Sequence, residues 1–72
     1  MPSSGAQTLV RAISILDCFS PDTTELGVRE VARRLELSQS TVNRLLTTMH
    51  TAGILSQIPT TNAYALGPKV LA

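Results

Sequence analysis

Gln39, Ser40, Thr41, Asn43 and Arg44 fall within one short stretch, and together they carry the hydrogen-bonding chemistry of base-edge recognition. A Gln or Asn amide can pair bidentately with adenine. An Arg guanidinium can do the same with guanine, and a Thr methyl can touch the thymine methyl. Arg44 has a second use, as a phosphate contact. Ser38, just before them, is a good helix N-cap, and the exposed helix start it caps carries free N–H groups and partial positive charge suited to a DNA phosphate. Arg29, Arg33 and Arg34 lie just upstream and are further phosphate candidates. Arg33 and Arg34 also suit the negative C-terminal end of their own helix, a reading that needs no DNA.

Other reactive side chains point to no chemistry of their own. Cys18 is expected near the buried face of the first helix, as inert core. His50 has no cysteine or second histidine at metal spacing, so neither a metal nor another cofactor is expected. Ser, His and Asp occur, but no nucleophile elbow or phosphate-cradling glycine motif does, and so small a domain has little cleft for catalysis. No enzymatic activity is expected.

The elements that must position these residues follow from periodicity. Leu9, Ala12/Ile13, Leu16 and Phe19 fit helical spacing over residues 6–19, until Ser20-Pro21-Asp22 ends the helix. Thr23 to Leu26 is a short extended piece. Gly27 is an acceptable N-cap for a second helix reaching Leu35, with Glu30 placed to reach back to the cap N–H as in a capping box. Ser38 opens a third helix, about residues 38–52, which Gly53 stops with a left-handed residue. Residues 54–58 and 63–66 read as two strands. Pro59-Thr60-Thr61-Asn62 forms the turn between them, with Asn62 able to take positive φ. Tyr64 is expected to pack within the hairpin rather than face DNA.

Val28, Val31, Ala32 and Leu35 share one face of the second helix, and Val42, Leu45, Leu46 and Met49 share one face of the third. Two such stripes joined by the Leu37-Ser38 break must pack on each other. Ala32 opposite Val42 supplies the small residue that close approach needs, with Leu37 and Leu45 completing the core of the motif. The expected fold is mainly α with a small β-hairpin, in the order helix, short strand, helix, helix, strand, wing, strand: a winged helix-turn-helix. Residues 1–5 are expected to be frayed, 6–67 to form the domain, and 68–72 to open a further helix.

Composition bounds the reading. The 72 residues make one small domain, 43% apolar and 15% charged, which is globular rather than disordered. No apolar run approaches a membrane span, no signal peptide is evident, and the single cysteine fits a reducing cytoplasm. The net charge is only +1. Four arginines nevertheless fall in the helix-turn-helix segment against Glu30 and Glu36, so the positive field is local. Sequence-specific binding to double-stranded DNA is the function these features imply. The alternative is a winged helix that docks on another protein.

Over nearly its whole length, about Gln7 to Leu71, the chain resembles the N-terminal DNA-binding domain of IclR-type bacterial transcriptional regulators. The resemblance is carried by LVRAISIL, VREVARRLELSQSTVNRLLTTM, AGIL and YALGPKVL. It implies operator binding as a dimer or tetramer, with dimer contacts from the first helix and from the linker helix after Gly67-Pro68. It also implies a small-molecule effector held by a larger C-terminal domain outside this sequence. Two departures stand out. Glu36 occupies a turn position usually filled by glycine, so either it takes a strained left-handed angle or the turn is shaped differently. The wing, usually basic, has no charge from Ile58 to Ala65, which shifts the expected affinity onto Arg33, Arg34, Arg44 and the third helix's N-terminus.

Overall fold

A computed structural model of the chain describes residues 4–71. Its elements are α1 (Ser4–Asp17), α2 (Val28–Leu35), α3 (Gln39–Thr51), β1 (Leu55–Gln57), β2 (Tyr64–Leu66) and α4 (Pro68–Leu71). This is the winged helix-turn-helix expected from the sequence.

α1 differs from expectation at both ends. Ser4 and Gly5 are helical rather than frayed, while residues 1–3 lie outside the described part. The helix stops at Asp17, because Phe19 leads into a tight turn in which Ser20 and Thr23 exchange backbone hydrogen bonds of 3.0 Å around Pro21-Asp22. Its buried side is centred on Ile15 and is continued past the helix end by Phe19, with Ala12, Leu16 and Cys18 partly buried against them. Leu9 and Ile13, which share the helical spacing, stand exposed instead. A 72-residue fold has too little interior to cover every apolar turn of a helix.

The extended piece at residues 23–26 does not form a strand. It contributes one bridge, in which Leu26 and Tyr64 exchange both backbone hydrogen bonds (2.9 and 2.7 Å). Gly27 begins α2 at once, which leaves no length for further pairing.

Gly27 is the extended N-cap of α2, but no side chain caps that helix. The expected capping box is absent: Glu30 turns away from the cap and bonds Arg33 and Arg34, two cations one turn on. α2 ends with Glu36 in the left-handed region (φ 56°, ψ 43°). The backbone N–H groups of Glu36 and Leu37 then return to the carbonyls of Arg33 and Ala32, satisfying groups that the helix end would orphan. Of the two readings of Glu36, the left-handed angle is therefore the one adopted. α3 closes the same way through Gly53 (φ 83°), where Gly53 and Ile54 donate to His50 and Met49.

Val31, Ala32, Val42, Leu46 and Met49 bury the seam between α2 and α3. Leu37 and Leu45 are only partly buried at its edge. The antiparallel hairpin pairs Leu55 with Leu66 and Gln57 with Tyr64, and inserts Leu55 and Tyr64 into the same core. Tyr64 is thus a packing residue. Asn62 takes the expected positive φ, 62°, at the wing tip.

Candidate nucleic-acid interface

Ser38 fixes the start of α3. Its Oγ accepts the backbone N–H of Thr41 (3.2 Å) and donates to Thr41 Oγ1 (2.9 Å). The hydroxyl is therefore committed to the cap. The amides of Gln39 and Ser40 have no partner within the helix and form its positive end.

From that start, the buried positions Val42, Leu46 and Met49 set the direction of everything else on α3. Ser40, Arg44, Thr47 and Thr51 recur at helical spacing on the opposite face, and all four are exposed. Asn43 and Gln39 are exposed on one flank of that face. On the other flank Thr41 is half-buried, its hydroxyl engaged by Ser38. The structure therefore gathers Ser40, Asn43 and Arg44 on the outward surface with Gln39 beside them, and turns Thr41 partly inward. Thr47 and Thr51 belong to the same surface and escaped the sequence reading. Their signal was there, since the i, i+4, i+7, i+11 series from Ser40 passes through both.

Arg11 is a third residue outside the sequence reading. It lies on α1, and with Thr8 it lines a shallow groove completed by Thr41, Arg44, Leu45 and Thr48 of α3. Two guanidiniums from different helices thus flank one polar furrow. Arg11 is the only charged residue of α1 before Asp17, a hint that its apolar neighbours obscured.

On α2, Arg29 and Arg33 are exposed, the Arg33 side chain by 72%. Arg34 is less free. Its side chain is 38% exposed, its Nε donates to Glu30 Oε2 at 2.6 Å, and its Nη1 donates to the Cys18 carbonyl at 3.2 Å. Arg33 Nη2 reaches the same Glu30 oxygen at 2.5 Å. The hydrogen bonds from Arg34 and then Arg33 hold the Glu30 carboxyl below its ordinary pKa, and Glu30 raises that of Arg34 in return.

The wing offers no cation. Its tip is held by its own polar groups: Gln57 Nε2 donates to the Asn62 carbonyl, and Thr61 Oγ1 accepts the Ala63 N–H, both at 3.2 Å. His50 lies edge-on to the Tyr64 ring, with centroids 6.3 Å apart. Among the described residues no helix is long and apolar enough to cross a membrane. Leu9, Val10 and Ile13 on α1, with Val70 and Leu71 on α4, are large apolar side chains left exposed.

Comparison with known proteins agrees with this fold. The model of the IclR helix-turn-helix domain matches residues 8–59. The HTH-type transcriptional regulator XynR of Escherichia coli is 37% identical over 65 residues, 90% of this chain and 26% of that protein. The HTH-type transcriptional regulator BhcR of Paracoccus denitrificans is 36% identical over 66 residues, 92% of this chain and 23% of that protein. An IclR family transcriptional regulator from Brucella abortus superposes with a TM-score of 0.85 at 34% identity, over 89% of this chain and 24% of that one. The chain thus spans about a quarter of the length of the relatives it matches.

Proposed function

The chain belongs to the IclR helix-turn-helix family, and on that premise we propose that it reads an operator half-site by laying α3 in the major groove of double-stranded DNA. The observation that carries this reading is the outward face of α3. Its polar side chains have no partner role in the core, while Val42, Leu46 and Met49 on the opposite side are buried.

Ser40, Asn43 and Arg44 contact base edges in this reading, with Gln39 and Thr41 at the margins and Thr47 extending the face. Arg29, Arg33 and Arg11 contact phosphates, and the amide end of α3, held by Ser38, receives another. The uncharged wing supports at most hydroxyl and backbone contacts, so the helices supply most of the electrostatic term. The large apolar side chains left exposed on α1 and on α4 support self-association, since such residues commonly mark an interface. The intact regulator then acts in the cytoplasm as a dimer or tetramer, with α4 leading to an effector-binding domain.

The test is binding of the intact protein to operator and random duplexes across a salt series. Each neutralised phosphate contributes about −0.9 to the slope of log K against log salt. Tight, steeply salt-dependent binding with a preference for operator is expected. Flat salt dependence, or equal affinity for random duplex, would overturn the reading.

A further inference from the structure

The last turn of α1 is poorly provided for by its own sequence. It holds no basic residue and closes on Asp17, whose carboxylate stands at the negative end of the helix dipole. The Ser14, Ile15 and Leu16 carbonyls are met locally, by Cys18 Sγ and by the N–H groups of Cys18 and Phe19, while the Cys18 carbonyl just beyond them takes its partner from another helix. Arg34, sixteen positions beyond Cys18, supplies what is missing, because its Nη1 donates to the Cys18 carbonyl at 3.2 Å. Its Nε is meanwhile held at 2.6 Å by Glu30 of its own helix. One rigid guanidinium thus joins the end of α1 to the outer face of α2. Arg33, the residue before it, hydrogen-bonds only Glu30 through its side chain among the described residues and leaves 72% of that side chain in solvent.

We infer that the two adjacent arginines are divided in role: Arg33 is a phosphate ligand, and Arg34 is a positioning residue that sets α2, and with it α3, at a fixed angle on α1. This rests on the DNA-binding reading above. α2 and α3 are locked to each other by the buried seam and by the turn at Glu36, so they move as one unit. The contact of that unit with α1 near Cys18 adds to the direct packing of α1 on α3 in setting where α3 points relative to Arg11. A planar fork with donors on separate nitrogens suits this task, whereas a lysine holds its three donors on a single nitrogen and does not reproduce that spacing.

Binding of the intact protein to operator across a salt series separates the roles. It is measured well below the melting temperature, with the folded fraction checked by circular dichroism. Arg33→Ala should lower the magnitude of the salt slope by about 0.9. Arg34→Ala should weaken binding by roughly three- to tenfold at every salt concentration, with the slope unchanged. Arg34→Lys should stay weakened, since charge alone does not restore the bridge. The inference is overturned if Arg34→Ala lowers the slope as Arg33→Ala does and Arg34→Lys restores it, which would make Arg34 a phosphate ligand. It is also overturned if Arg34→Ala lowers the melting temperature but leaves affinity untouched, which would make the bridge purely structural. A wild-type protein without salt-dependent binding would instead remove the DNA-binding reading, and the positioning role with it.

Discussion

Gly67 packs its bare α-carbon against the backbone of Ile54: a β-carbon on Gly67 would lie 2.8 Å from the Ile54 carbonyl carbon and 2.6 Å from the Gly53 oxygen. The Gly67 N–H also donates to the Ile54 carbonyl at 2.7 Å, and Lys69 N–H donates to Gly53 at 3.1 Å. The segment after α3 and the start of α4 are thereby joined through backbone, with the Lys69 side chain lying over Gly53. Gly67→Ala must push these segments apart. A loss of about 1–3 kcal/mol of stability is expected, read from the urea midpoint, as for overpacking elsewhere. An unchanged midpoint would mean that the approach is looser than described.

Glu36 holds a left-handed angle that costs an L-residue roughly 1–2 kcal/mol and glycine almost nothing. Glycine gives part of this back through the greater freedom of the unfolded chain. Glu36→Gly should therefore stabilise the domain by up to about 1 kcal/mol, and Glu36→Val should destabilise it. Thermal melts of the two variants check the sign, and a destabilising glycine would contradict the strain argument.

Ser38 serves the helix through its side chain and, in the proposed complex, serves DNA through the amides it exposes. Ser38→Ala should cost about 1 kcal/mol of stability. Ser38→Asp retains a capping oxygen, so it should keep most of the stability, yet the added carboxylate should repel phosphate and weaken DNA binding. Equal affinity of the aspartate variant and wild type would show that no phosphate approaches this end.

Glu30 links stability to pH. Arg34 and then Arg33 lower its carboxyl pKa in the folded state below the unfolded value. Its stabilising effect is therefore fully present above the unfolded pKa and is lost as pH falls through the folded pKa. Glu30→Gln should lower stability at neutral and alkaline pH, where the carboxylate contributes, and should flatten the decline over the acid range. Urea titrations of both proteins from neutral pH into acid decide this, and superimposable acid limbs would exclude the linkage.

Arg44 and Thr47 occupy neighbouring positions on the outward face of α3, whereas Thr41 is half-buried. Arg44→Ala should relax preference at a single base pair by about 1–3 kcal/mol. Thr47→Ala should alter preference one turn along. Thr41→Val, which removes the hydroxyl that Ser38 engages, should act mainly on stability. Binding to a set of single-substitution operators separates the cases, and a uniform loss across all operators for Arg44→Ala would reassign it to phosphate.

The sequence by itself determined the motif. Apolar residues on one face of each helix, Ser38 as a cap, Gly53 as a stop and Asn62 at the wing tip are local signals, because period, capping and turn chemistry act over a few residues. The family followed from the same stretches. Only the tertiary structure decided which outer residues are free. Glu30 could have capped Gly27 but chose two arginines one turn on. Arg33 and Arg34, equivalent as letters, differ because α1 ends beside only one of them. Arg11 lies beside Arg44 because α1 crosses α3 there, and Leu9 and Ile13 stayed exposed while Ile15 and Phe19 filled the core. Each of these outcomes depends on contacts between residues far apart in the chain, and hydrophobic period carries no record of which neighbour arrives on the polar side.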